Sequence, residues 1–142
     1  MLMQTRRLAR VLAAAAALWA ATACGPSLMA TRPEVHSPGA VRVALKSLSD
    51  DLFKFVVVNE SPYPLVIYRD AVRLATATGT RSRLPGGLAH IYHVPPGGYH
   101  DVHVKFPLGG IRQGETVWVH FQQALLINGQ PVAVEPLEFV MR

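Results

Sequence analysis

A chain of 142 residues, half of them hydrophobic, has room for one modest core once any targeting segment is set aside. The formal charge is +5, from 14 Lys and Arg against 9 Asp and Glu, but Arg6, Arg7 and Arg10 crowd the first ten residues. Without them the balance is 11 against 9, or +2, so composition offers no argument for a nucleic-acid partner.

Those three arginines precede VLAAAAALWAATA, an apolar run of 13 residues from Val11 to Ala23. A membrane span needs about 20 residues, so residues 1–23 read as a signal peptide with a basic start and a short apolar centre. Ala21-Thr22-Ala23 supplies the small-x-small pattern of a cleavage site, and Cys24, the single cysteine, follows it directly. This arrangement resembles the lipobox of bacterial lipoproteins, in which the cysteine thiol is acylated and becomes the new N-terminus. Ala21 stands where that family usually has Leu. Gly25 stands where an inner-membrane retention signal typically has Asp, so the resemblance implies the outer membrane, facing the periplasm. It also implies a covalent lipid on Cys24 and the membrane as a partner; cleavage without acylation is the plainer reading. No second cysteine exists to form a disulfide, so the domain must stand on packing.

Residues 24–39 carry three prolines and no periodicity, which predicts a lipidated cysteine followed by a flexible tether. From residue 40 to 142 the pattern is β. Val41, Val43 and Leu45 alternate with Arg42, Ala44 and Lys46, the period-two signature of a half-buried strand. LFKFVVV (Leu52–Val58) ends at Asn59-Glu60-Ser61-Pro62, and a third strand opens at Leu65–Tyr68 and extends toward Leu74. Thr76–Gly87 reads as a polar loop, while Leu88–Val94 and Tyr99–Phe106 flank Pro95-Pro96-Gly97-Gly98 as the arms of a hairpin. ETVWVHF (Glu115–Phe121) is another strand, and Leu125–Ile127 meets Asn128-Gly129, a strong type I′ turn signal. Val132–Val140 returns as the last strand, with Pro131 and Pro136 marking it as an edge.

No stretch offers a sustained helical stripe. The expected fold is an all-β, immunoglobulin-like antiparallel β-sandwich of about seven strands. F-x-F-V-V-V-N-E-S-P-Y-P-L (Phe53–Leu65) and V-P-P-G-G-Y with a later V-K-F (Val94–Phe106) resemble segments of small bacterial lipoproteins with such a domain. That family resemblance implies a fold; many of those proteins have no assigned activity. P-L-V-I-Y-R (Pro64–Arg69) is similar to a segment of the β-sandwich lipoprotein of type VI secretion systems.

Four of the six histidines fall in AHIYHVPPGGYHDVHV (Ala89–Val104). In a hairpin centred on Pro96-Gly97, His93 faces His100 and His90 faces His103, one pair on each side of the sheet. Zinc or copper needs three or four converging ligands, so the candidate metal set is His90, His103 and Asp101. The plainer reading is a histidine-rich solvated hairpin.

Trp118, the one tryptophan after residue 23, and the basic Arg81 and Arg83 are the candidate partner-binding residues. Each has an ordinary structural role as the alternative. No G-x-S-x-G elbow or phosphate-cradling glycine loop is present. The expectation is therefore a non-catalytic, envelope-anchored structural or protein-binding module with an unidentified envelope protein as partner. It carries no cofactor beyond the lipid. The alternatives are a periplasmic metal-binding protein and an assembly lipoprotein of a secretion system.

Overall fold

The computed structural model describes residues 27–87 and 90–142; residues 1–26, including the expected signal segment and Cys24, lie outside the described residues. Thirteen short strands follow one another among the described residues. They are β1 (Leu28–Arg32), β2 (Glu34–Ser37), β3 (Val41–Ser49), β4 (Leu52–Asn59), β5 (Leu65–Tyr68), β6 (Arg73–Thr76) and β7 (Gly79–Ser82). The remainder are β8 (Ile91–Val94), β9 (Tyr99–Lys105), β10 (Thr116–His120), β11 (Leu125–Ile127), β12 (Gln130–Pro131) and β13 (Leu137–Met141). No α-helix occurs among the described residues, and a single 3-10 turn (Arg69–Ala71) joins β5 to β6.

All the pairings are antiparallel and form three open sheets: β2-β3-β4-β9, β1-β13-β10-β6-β7 and β12-β11-β5-β8. The second and third sheets are two halves of one bent layer. β6 pairs with β10, β5 pairs with β11, and the Tyr68 amide donates to Ala124 O at 2.8 Å across the bend. The 3-10 turn on one strand line and the Phe121–Ala124 turn on the other make that bend.

Alternation along β4 places Phe53, Phe55, Val57 and Asn59 inward, and all four are fully buried. Phe53 meets Phe139 of β13 edge to face at 5.3 Å, and Phe55 meets Phe121 at 5.0 Å, so the β4 sheet packs face to face on the bent layer. Phe106 closes the cluster at 5.5 Å from Phe53. This two-layer all-β architecture is the expected sandwich. Asn128 and Gly129 both have positive φ, 53° and 73°, as the type I′ turn between β11 and β12 requires.

Four expectations change. Residues 28–37 are not a tether: β1 pairs with β13 and β2 with β3, and the Ser27 amide and carbonyl both bond to Arg142. The chain breaks into more and shorter strands than about seven, because the 3-10 turn and Pro136 each split a line that reads as one strand. The polar loop at residues 76–87 contains β7, which pairs with β6. Finally, Pro136 ends the irregular stretch before β13, and β13 lies between β1 and β10 rather than at an edge.

The largest correction concerns the histidine-rich stretch. β8 and β9 do not pair: β8 lies against β5 and β9 against β4, in different layers. The Pro95–Gly98 turn is therefore an arch between sheets. Its anchor is Asn59, 0% exposed, whose Nδ2 donates to Tyr63 O at 2.7 Å, Val94 O at 3.1 Å and Pro95 O at 3.3 Å. The Asn59 backbone amide donates to Gly98 O and its carbonyl accepts from the Gly97 amide, both at 2.9 Å. Asn59 Oδ1 accepts from the Ser61 amide at 3.0 Å, with Ser61 Oγ at 2.8 Å.

Because Phe53 touches three other rings from both layers, Phe53→Ala should lower stability by about 3–5 kcal/mol in urea unfolding. Substitution at the solvent-facing Lys54 should change stability by less than about 0.5 kcal/mol.

Candidate functional site

The arch disperses the candidate metal residues. His100 stacks on Tyr92 with ring centroids 4.1 Å apart, and its Nδ1 lies 2.6 Å from Asp101 O. His93 faces Val66 of β5 instead of His100. On β8 the inward positions are Tyr92 and Val94, so Ile91 and His93 point outward, opposite to the face a hairpin would give them. Asp101 and His103 share the outer face of β9, but Asp101 is held by Lys46, whose Nζ donates to Oδ2 at 2.9 Å. Lys46 sits at an irregularity in the β3–β4 register.

His90 goes elsewhere. It precedes β8, and its carbonyl accepts from the Arg69 amide at 2.9 Å, while its ring joins Asp70 and Arg83. Arg83 Nη2 lies 2.9 Å from His90 Nδ1 and Asp70 Oδ1 lies 3.3 Å from it. Among the described residues, no group of three or more His, Cys, Asp or Glu side chains is placed to hold a metal ion.

Of the candidate partner-binding residues, Trp118 is half-buried on the outer face of β10, opposite Glu138 and Ala75. Its Nε1 donates to Glu138 Oε2 at 3.2 Å, and Glu138 Oε1 accepts from Thr31 Oγ1 at 2.9 Å, so the ring belongs to a polar cross-strand row. Arg81 Nη1 donates to Pro107 O at 2.8 Å and ties β7 to the segment after β9. Arg83 is the one that enters a cavity.

That cavity, about 290 Å³, is lined by Arg69, Arg83, His103 and Lys105, with Leu52, Leu84, Pro85, Gly86 and Gly87 completing the wall. Each basic group arrives from a different place. Arg69 comes from the bend between β5 and β6, His103 and Lys105 from the outer face of β9, and Arg83 from the end of β7. Leu84 N donates to Lys105 O at 2.7 Å, which fastens the loop to β9. Gly86 O accepts from Arg69 Nη2 and from Arg83 Nη1, each at 2.9 Å, so two guanidinium groups converge on one carbonyl.

Gly87 has φ +88°, and a Cβ there would lie 2.6 Å from Arg69 Nη2. Glycine is what lets the guanidinium lie against the loop. The sequence hint for this site is Arg83 followed closely by Gly86-Gly87; Arg69 and Lys105 carry no local signal.

The Arg83 guanidinium donating to the Asp70 carboxylate holds Asp70 below the usual carboxylate range, against a smaller opposing effect of burial, and His90 adds to the depression. A folded-state pKa below the unfolded value of about 3.9 adds stability above that value, lost as pH falls through the folded pKa. Both partners of the ion pair reach solvent, so the gain is at most about 1 kcal/mol. Asp70→Asn should therefore be less stable than the wild type at pH 7 by about that amount or less. Thermal unfolding should show the gap closing as pH drops below about 3.9.

No family model matches the sequence, and no match is found among curated proteins. Among solved structures, the fold is similar to that of the Bacillus subtilis protein ycdA, described as a "putative lipoprotein". The TM-score is 0.51 and the identity 11%, over 79% of this chain. The matched region spans 38% of the Bacillus protein, and at this identity the likeness is one of fold.

Proposed function

We propose that the chain is a lipoprotein of the bacterial envelope, anchored through acylated Cys24 on the periplasmic face of the outer membrane. Its β-sandwich acts there as a non-catalytic binding module for an envelope component. The observation that carries this reading is the placement of the single cysteine. It follows Ala21-Thr22-Ala23 at the end of an apolar run and stands three residues before Ser27, which is bonded to Arg142 of the sandwich. The fold likeness to a "putative lipoprotein" supports the lipoprotein reading. The immunoglobulin-like class is part of the same proposal.

The geometry sharpens the role of the anchor. Three residues span at most about 11 Å, so the Ser27 end of the domain sits close to any lipid on Cys24. Two acyl chains with a third on the amine give stable attachment, since each buried methylene contributes about 0.8 kcal/mol.

Fractionation and intact mass of the purified chain test the reading. The wild type is expected in the membrane fraction, cleaved before Cys24 and carrying acyl mass on it. Cys24→Ala is expected to lose both. A wild-type protein with an unmodified Cys24 would contradict the proposal.

A further inference from the structure

We propose that the cavity between Arg69, Arg83, His103 and Lys105 binds a phosphomonoester group. Arg69 is 7% exposed and remains charged at any physiological pH. Its Nη2 has the Gly86 carbonyl, and its Nε is buried with no hydrogen-bond partner. A buried guanidinium facing one neutral acceptor is under-compensated, and the deficit is relieved by an anion. Arg83 shares that carbonyl, so the two positive forks stand side by side. Like charges brought together without an intervening anion repel.

The charge count selects the ligand class. Arg69, Arg83 and Lys105 bring three fixed positive charges to the cavity, and Asp70, outside its wall, is ion-paired with Arg83. No ion pair engages Arg69 or Lys105 among the described residues. The excess of about two positive charges matches a phosphomonoester, which carries about −1.5 to −2 at pH 7, better than a carboxylate. Arg83, already bonded to Asp70, His90 and the Leu84 and Gly86 carbonyls, contributes its charge, Lys105 supplies a point charge, and Arg69 brings the guanidinium with the fewest partners. No carboxylate lines the cavity to compete.

The phosphate can come from a soluble ester or from a lipid headgroup. The cavity flanks the β3–β4 turn: Leu52 lines it, and the adjoining Asp50 and Asp51 line the cleft that holds Ser27. A lipid source rests on the anchoring of Cys24; the phosphate site itself does not.

Titration of the purified full chain with inorganic phosphate at low salt, followed by NMR or calorimetry, tests the site. Saturable binding is expected, weakened about tenfold or more in Lys105→Gln and in Gly87→Ala. Arg112→Gln, which does not line the cavity, should bind as the wild type does. The circular-dichroism spectrum checks that each variant is folded. Binding that does not saturate, or that Lys105→Gln and Gly87→Ala leave unchanged, overturns the proposal.

A second arm uses full-length Cys24→Ser, which lacks the acyl anchor, with phosphatidylcholine vesicles with or without phosphatidic acid. Retention that requires phosphatidic acid and Lys105 supports the site and assigns it a lipid source. Phosphate binding without such retention supports it with a soluble source. Loss of membrane location in Cys24→Ala with phosphate binding intact separates the anchor from the site.

Discussion

The carboxamide of Asn59 is the constraint from which the rest of the architecture follows. It sits at the inward-facing end of β4, with no access to water, so every donor and acceptor it carries needs a protein partner. Its two amide protons serve carbonyls in the loop after β4 and at the end of β8, while its oxygen holds Ser61. Its own backbone grips the Pro95–Gly98 turn. One side chain thereby ties the last residue of a strand in one layer to the last residue of a strand in the other. A domain that spans two layers with no disulfide among residues 27–142 gains a polar staple at the place where the sheets exchange a strand.

The consequences run down the molecule. With β8 committed to β5 and β9 to β4, His90 and His103 approach from separate layers instead of from opposite arms of a hairpin. The bend between β5 and β6 then delivers Arg69 to the gap between those layers, and the loop after β7 closes over it. The cationic cavity is thus a product of the fold's two irregularities, the arch and the bend. The aromatic cluster around Phe53 holds the layers together around it, and the cavity's basic groups sit outside that core.

The alternation of β3 and β4, the β10 segment and the Asn128-Gly129 turn was legible in the sequence, because these depend on local period and turn chemistry. The sandwich class followed from them. What could not be read was pairing. Pro95-Pro96-Gly97-Gly98 between two β patterns has the local chemistry of a hairpin. The residue that decides against it, Asn59, lies 36 positions from Pro95. Residues 28–37 look like a linker because prolines obscure their alternation, yet β1 and β2 take their order from β13 and β3 far along the chain. Of the basic residues around the cavity, the sequence marks only Arg83, with its neighbour Arg81, as a candidate partner-binding residue. Arg69 is buried because the bend turns it inward, and a bend made by a 3-10 turn leaves no periodic trace.

Asn59→Asp tests the central claim most directly, since it keeps size and one acceptor oxygen but removes the amide donors. Urea unfolding, with hydrogen exchange of the Gly97 and Gly98 amides, reads both the global and the local effect. A loss of about 2–4 kcal/mol, with those two amides exchanging faster, is the predicted result. A change below about 0.5 kcal/mol with both amides still protected would mean that the arch stands without Asn59, and the account would be wrong.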